Sequence, residues 1–330
     1  MNIPFHRSNH SSREYDAVKR VLKSGWLTQG EEVARFEQEF AKYVGAKYAV
    51  AVSSCTMALT IALEDMPKSW RGSEVEVPSL TFSASAMAII KAGFTPKFVD
   101  LYEDSYIAAN SYCNPAVIVH YAGIDAGIPD YANIHDCAHR VERNLCKGKR
   151  GSFCFSFYPT KQIAGAEGGM ICSNEGTGEG FRIARNHGRK PDSTEVITEG
   201  YKANMTDVQA ALCRVQLAKL DETNARRAEI VAAYNDAFGL ENTGLHLYPM
   251  QVGQRDDVAM LRGFRRNLEY AGIATSIHYP PLHLMPAYKP YTKSLPNTER
   301  ICKRIVSLPL YPALTNKEVS YIIKTVRRYL

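Results

Sequence analysis

The chain reads as an α/β protein: a large domain built on a mostly parallel sheet flanked by helices, followed by a small C-terminal α+β domain. Three observations predict this. Short apolar runs alternate with stretches of helical periodicity through the first half of the chain. Several of those runs, such as 116–120 (Ala-Val-Ile-Val-His), are apolar over almost their whole length, as strands covered on both faces are. At 330 residues the chain exceeds what one ordinary core fills. The expected division is 1–220 for the large domain and 221–330 for the small one.

The elements follow in order. Residues 12–23 form an amphipathic helix with Val18, Val21 and Leu22 on one side. The turn-rich Gly25-Trp26-Leu27-Thr28-Gln29-Gly30 comes next. A second helix over 31–44 repeats Val33, Phe36, Phe40 and Tyr43 at helical spacing. Residues 48–52 form a strand, and Ser53-Ser54-Cys55-Thr56 caps the apolar helix after it. Strands are predicted at 75–78, 96–100, 116–120, 133–135, 153–157 and 170–172, with a helix at 83–92. A long helical pattern runs over 207–238 and holds the domain boundary. Beyond it, strands are expected near 245–247 and 275–277, and helices at 256–271 and 317–329. No internal repeat is visible.

Composition excludes several classes. The net charge of +6 is modest, and the basic residues are scattered apart from Lys147, Lys149 and Arg150, and Lys324, Arg327 and Arg328. A solvated surface explains those clusters better than nucleic-acid binding does. The eight cysteines form no CxxC pair and the histidines show no zinc spacing, so no metal site is expected. Reduced thiols in a cytoplasmic protein fit this usage. Residues 1–12 lack a signal-peptide pattern, and no segment is long and apolar enough to span a membrane.

The chemistry concentrates around Lys161, in Ser156-Phe157-Tyr158-Pro159-Thr160-Lys161 ahead of Glu167-Gly168-Gly169. Few charges flank this lysine, so burial would ease loss of its proton. Asp136 follows the apolar run at 133–135, at the carboxyl end of a strand, where open α/β sheets place ligands. The 53–56 turn supplies free N–H groups at a helix N-terminus, which suits a phosphate. Lysine, carboxylate and phosphate turn together are what pyridoxal phosphate requires: an amine for a Schiff base, an anion for the pyridine nitrogen and an anchor for the phosphate.

Eight segments in order carry a resemblance over nearly the whole chain. They are residues 25–30, 53–56, Pro78-Ser79-Leu80-Thr81-Phe82, Asp136-Cys137-Ala138-His139, 155–161, Glu167-Gly168-Gly169, 200–207 and His278-Tyr279-Pro280. On these the chain resembles the DegT/StrS-type nucleotide-sugar aminotransferases, within the type I aspartate-aminotransferase fold. The resemblance implies that Lys161 carries the cofactor and shuttles protons, while Asp136 binds the pyridine nitrogen. It places Phe82 on the ring face, Cys55, Thr56 and Ser156 on the phosphate, and His139 near the phenolic oxygen. Asn204 would reach the phosphate of a neighbouring subunit, which implies a homodimer with shared active sites. Trp26, Glu167, His187 and His278 would line the sugar pocket.

The implied reaction moves an amine from an amino acid, glutamate above all, to a nucleotide-linked keto sugar. A cyclitol aminotransferase is a neighbouring reading. A sugar dehydratase of the same fold would replace Lys161 with histidine, and a non-catalytic regulator would lack the proton-transfer set. Segments 100–136 and 139–152 are shorter than the family pattern, and position 203 is alanine where an aromatic is common. The shortened segments imply a missing or reduced peripheral strand or helix, and Ala203 implies a more open substrate pocket.

Overall fold

The structure, a computed structural model, describes residues 1–109, 115–127, 134–253 and 258–330. Cys113, Asn133 and Asp256 lie outside that set, so the start of the 133–135 strand and of the 256–271 helix cannot be compared.

The amino-terminal half alternates as its periodicity requires. α1 (Ser12–Ser24) and α2 (Glu31–Val44) precede β1 (Tyr48–Val52), α3 (Cys55–Glu64), β2 (Glu74–Pro78), α4 (Ser83–Lys91) and β3 (Thr95–Val99). Then come β4 (Val117–Val119), β5 (Ile134–Asp136), β6 (Ser152–Ser156), β7 (Gly169–Ser173) and the short α5 (Glu179–Ala184). Five strands run in the order β1-β7-β6-β5-β4, and β2-β3 form a parallel pair joined to β4 through a bridge between Glu76 and Ala116. Only β7 runs against its neighbours, so the sheet is mostly parallel, as its sequence predicts.

Both faces are covered. On one, Phe36 and Phe40 of α2 meet Phe157 and Phe155 edge to face, with ring centroids 5.0 and 4.9 Å apart. On the other, α3 and α4 bury Ala58, Leu59, Ile61, Ala86 and Ile89. The Asp207 carboxylate accepts the N–H groups of Gly30 (2.8 Å), Val33 (3.0 Å) and Glu32 (3.2 Å). A residue distant in sequence thus satisfies the open N-terminus of α2.

The helical stretch at 207–238 is two helices, α6 (Asp207–Ala218) and α7 (Leu220–Phe238), broken at Lys219 where ψ turns to 10°. β8 (Tyr248–Gln251), α8 (Val258–Tyr270), α9 (Pro296–Cys302), β9 (Ile305–Leu308) and α10 (Asn316–Tyr329) complete the chain. They pack around Ile230, Tyr234, Tyr248, Phe264, Val306 and Ile322, with Ile3 from the N-terminus.

Two strand expectations need correction. Residues 245–247 do not form a strand, because the N–H groups of His246 and Leu247 both bond to Ala122 O; the strand starts at Tyr248. Residues 275–277 make only one bridge, Ser276 to Ser307, and β9 is the strand that pairs with β8. α5, α9 and β9 were not anticipated, being four to seven residues long and too short to show a period.

His135, on β5 beside Asp136, is fully buried. Its ring stacks on Phe153 with centroids 4.4 Å apart, and neither ring nitrogen has a hydrogen-bond partner among the described residues. Burial, aided by Lys149 and Arg140 against Asp125, lowers its pKa from 6.5 to about 3. The unfolded chain therefore takes up a proton between pH 6.5 and 3 that the folded chain refuses. Stability falls with pH across that window, by up to about 1.4 kcal/mol per pH unit from this group. His135→Phe keeps the stack and removes the titration. The variant should gain about 2 kcal/mol on the wild type between pH 6.5 and 4.5, read from urea midpoints. Parallel curves would sink the assignment.

Candidate active site

A cavity of about 530 Å³ opens at the carboxyl ends of the parallel strands, where the topology brings the turn after β1, the end of β5 and the loop after β6 together. Ser54, Cys55, Thr56, Phe82, Asp136, His139, Ser156, Lys161, Glu167 and His278 all line it.

The first turn of α3 forms one end. Ser54 Oγ accepts the Met57 N–H at 3.2 Å, which leaves the earlier N–H groups of the turn without intrahelical acceptors. Thr56 and Ser156 add hydroxyls to the same wall. A Cβ at Gly169 would lie 2.4–2.6 Å from the backbone of Ser54 and Cys55, so this glycine lets β7 run directly beneath the turn.

Asp136 is buried at the end of β5. Its Oδ2 accepts from Ser85 Oγ at 2.7 Å and its Oδ1 from the Ala138 N–H at 3.1 Å. Burial raises its pKa, while Ser85, Ala138 and Lys161 oppose the rise. A carboxylate offers about four acceptor positions, so a third donor still fits.

Lys161 sits on the loop between β6 and β7, its N–H bonded to Tyr158 O at 2.9 Å. Its side chain keeps some surface on the cavity while protein surrounds the amine. Burial lowers the pKa to about 8, against the pull of Asp136 and Cys55. Burial also raises the Cys55 thiol well above its usual range, so it stays uncharged.

His139 Nδ1 accepts the Ala122 N–H at 3.2 Å, which puts the ring proton on Nε2, 3.2 Å from the Tyr279 hydroxyl Oη. Burial, then Lys161 and His278, hold its pKa well below 6.5. His246, 4.5 Å from His139 between ring centroids, is held neutral the same way. Phe82 caps α4 and is 60% exposed, offering an aromatic face 5.8 Å from the Tyr279 ring. Ser85, Tyr279 and His246 were not singled out from the sequence. Tyr279 stood inside a quoted motif, while Ser85 and His246 lay in segments read only for periodicity.

Three predicted residues do not line this cavity: Trp26, His187 and Asn204. They gather instead on one outer face. Trp26 Nε1 donates to Gln29 O at 3.1 Å, and Asn204 Nδ2 donates to Gln29 Oε1 at 2.6 Å and to Asn186 Oδ1 at 3.4 Å. His187, next in sequence to Asn186, is exposed.

The donor set fits pyridoxal phosphate. A desolvated amine, a buried carboxylate with acceptor capacity left, a helix N-terminus with two hydroxyls and an open aromatic face share one cavity.

Known proteins agree with this geometry. A sequence model of the DegT/DnrJ/EryC1/StrS aminotransferase family matches residues 9–327. The spore coat polysaccharide biosynthesis protein SpsC of Bacillus subtilis is 34% identical, covering 98% of this chain and 96% of its own length. The PLP form of the sugar aminotransferase Spr1654 from Streptococcus pneumoniae superposes with a TM-score of 0.88 at 27% identity, over 100% of both chains. S. venezuelae DesV, solved with a ketimine intermediate, gives 0.86 at 29% identity over 96% of this chain and 94% of its own. The chain therefore belongs to the DegT/DnrJ/EryC1/StrS aminotransferase family and is an aminotransferase whose cofactor is pyridoxal phosphate.

Proposed function

We propose that this chain transfers an amino group from an amino acid, glutamate being the expected donor, to a nucleotide-linked keto sugar, giving an amino-deoxy sugar. The observation that carries the reading is Lys161: an amine with a pKa near 8, in one cavity with Asp136 and the α3 turn. The sugar class draws support from the relatives, which are named for polysaccharide biosynthesis and sugar amination. Lys161, as found here, also speaks against the dehydratase reading.

When bound, pyridoxal phosphate supplies an electron sink for the substrate carbon that loses its proton. The residues of the chain do the rest. Asp136 as an anion would hold the ring nitrogen. Thr56, Ser156 and the α3 N–H groups would hold the phosphate. Phe82 would cover one face of the ring, and His139 would offer its Nε2 proton to the phenolic oxygen. Lys161 takes the proton from the donor α-carbon and returns one during the second half of the cycle. A group with a pKa near the working pH serves as both base and acid.

The same reading makes the enzyme a cytoplasmic homodimer, with a cofactor domain at 1–220 and a smaller domain at 221–330. The outer cluster of Trp26, His187 and Asn204 supports the shared site, because these side chains lie together outside the cavity of their own chain. Leu27, Val196 and Ile197 expose apolar surface beside them. Glu167 and His278 line this chain's own pocket and would meet the sugar. A holoprotein with the mass of one chain in solution would remove the dimer from the reading.

The experiment is the visible absorbance of the purified protein. A yellow band should bleach on adding glutamate and return on adding a nucleotide-linked keto sugar. A band indifferent to glutamate would exclude that donor, and a bleached band that no such sugar restores would exclude the acceptor class.

A further inference from the structure

We propose that Ser85, oriented by Thr81, is a positioning residue for the reaction: a two-hydroxyl relay holds Asp136 ionised and aimed at the cofactor's ring nitrogen. The inference rests on the reading of the site given above and adds two residues to it.

The geometry fixes the direction of the relay. Ser85 Oγ lies 2.7 Å from Asp136 Oδ2 and 2.9 Å from Thr81 Oγ1. A carboxylate only accepts, so Ser85 gives it its one proton. Thr81 must then donate to Ser85. The chain Thr81 O–H to Ser85 O–H to Asp136 runs one way, and each bond polarises the next. A hydroxyl-to-carboxylate bond of 2.7 Å lies in the charge-assisted range.

All three side chains are buried, with exposures of 2% for Thr81, 0% for Ser85 and 6% for Asp136. Burial favours the protonated acid, and Ser85 is foremost among the groups that oppose it. The Ala138 N–H on Oδ1 completes the hold, so the carboxylate has a donor on each oxygen and cannot swing. A protonated or rotated Asp136 would not accept the ring N–H, and the ring would lose both an anchor and much of its pull on electrons.

The local sequence explains why the relay exists. Thr81 and Phe82 enter α4, and Ser85 is the third residue of the helix. Phe82 stands exposed at the cavity, Thr81 lies nearly buried in its wall, and Ser85 turns inward to Asp136 on β5. The segment that supplies the ring-covering aromatic also carries the relay.

The test measures pyridoxal phosphate affinity and the absorbance spectrum of the bound cofactor in Ser85→Ala, Ser85→Thr and Thr81→Val. Ser85→Ala should weaken cofactor binding about 10-fold or more and change the bound spectrum, because a hydrogen bond to a buried charge is lost. Thr81→Val should do the same more weakly, about 3-fold. Ser85→Thr keeps the hydroxyl and should stay within about 3-fold of the wild type. Urea unfolding of the apoproteins separates positioning from stability. Wild-type affinity and spectrum in Ser85→Ala, whatever its stability, would make Ser85 a structural tether and overturn the proposal. If Ser85→Ala does not fold, Thr81→Val decides alone, and wild-type behaviour there overturns it too. A wild-type protein that takes up no pyridoxal phosphate would instead refute the underlying reading of the site.

Discussion

Replacing Lys161 with alanine should cost at least about 10³-fold in amino transfer while leaving a folded protein. General acid–base catalysis by one group is worth about 10²–10⁴-fold, and this lysine also attaches the cofactor. The absorbance experiment reads the loss directly: glutamate should no longer bleach the band within a normal turnover time. Turnover at wild-type rate would refute the central role of Lys161. A second consequence concerns stability. Burying the amine lowers its pKa from 10.5 to about 8, so the folded apoprotein carries a desolvation cost at neutral pH. Lys161→Met removes that cost and should stabilise the apoprotein on the order of 2 kcal/mol at pH 7, less than the full shift because the amine borders the cavity. The sign is fixed by linkage. Between pH 8 and 10.5 the unfolded chain holds a proton that the folded chain has released, so wild-type stability rises with pH there. The gap to the methionine variant should close over that window. A constant gap would mean that burial does not perturb this amine.

Much of this site was legible in the sequence because its chemistry is local. Asp136 and Ser156 end strands, Lys161 and the 53–56 turn follow them, and β1, β5 and β6, being parallel, bring these ends to one rim. What could not be read depends on contacts between distant segments. Asp207 stood in a recognised motif, yet its work as the cap of α2 appears only when α6 is seen against Gly30 and Val33. Ser85 was one polar residue in an apolar helix, indistinguishable from a surface serine until Asp136 lies 2.7 Å away. The C-terminal region differs from its reading at 275–277 because Thr275-Ser276-Ile277 holds a single apolar residue, and Ile305–Leu308, the strand that pairs with β8, is only four residues long. The resemblance assigns Trp26 and His187 to the sugar pocket and Asn204 to the phosphate of a neighbouring subunit; only the fold shows that the three lie together, outside the cavity of their own chain.

Gly169→Ala should be a severely damaging single-methyl change at the phosphate end of the cavity. The residue pairs with Val52 and with Ser156 across two antiparallel ladders, so its backbone cannot shift without moving β1 and β6. An added Cβ would meet the carbonyl carbon and oxygen of Ser54 and the nitrogen of Cys55 at 2.4–2.6 Å, all of them main-chain atoms. No rotamer change relieves a backbone clash, in contrast to Gly253, where the nearest atoms belong to the flexible Met260 side chain. The Ser54–Cys55 turn must move outward, and with it the first N–H groups of α3. Overpacking of this kind costs about 1–3 kcal/mol, to which the loss of phosphate-binding geometry adds a functional cost. The variant should unfold at lower urea concentration and bind pyridoxal phosphate at least about 10-fold more weakly, with a smaller effect on affinity for pyridoxal, which lacks the phosphate. Equal weakening toward both ligands would mean that the α3 turn does not hold the phosphate. Unchanged binding of pyridoxal phosphate would mean that the turn accommodates the methyl, against the close approach of β7 on which the site is built.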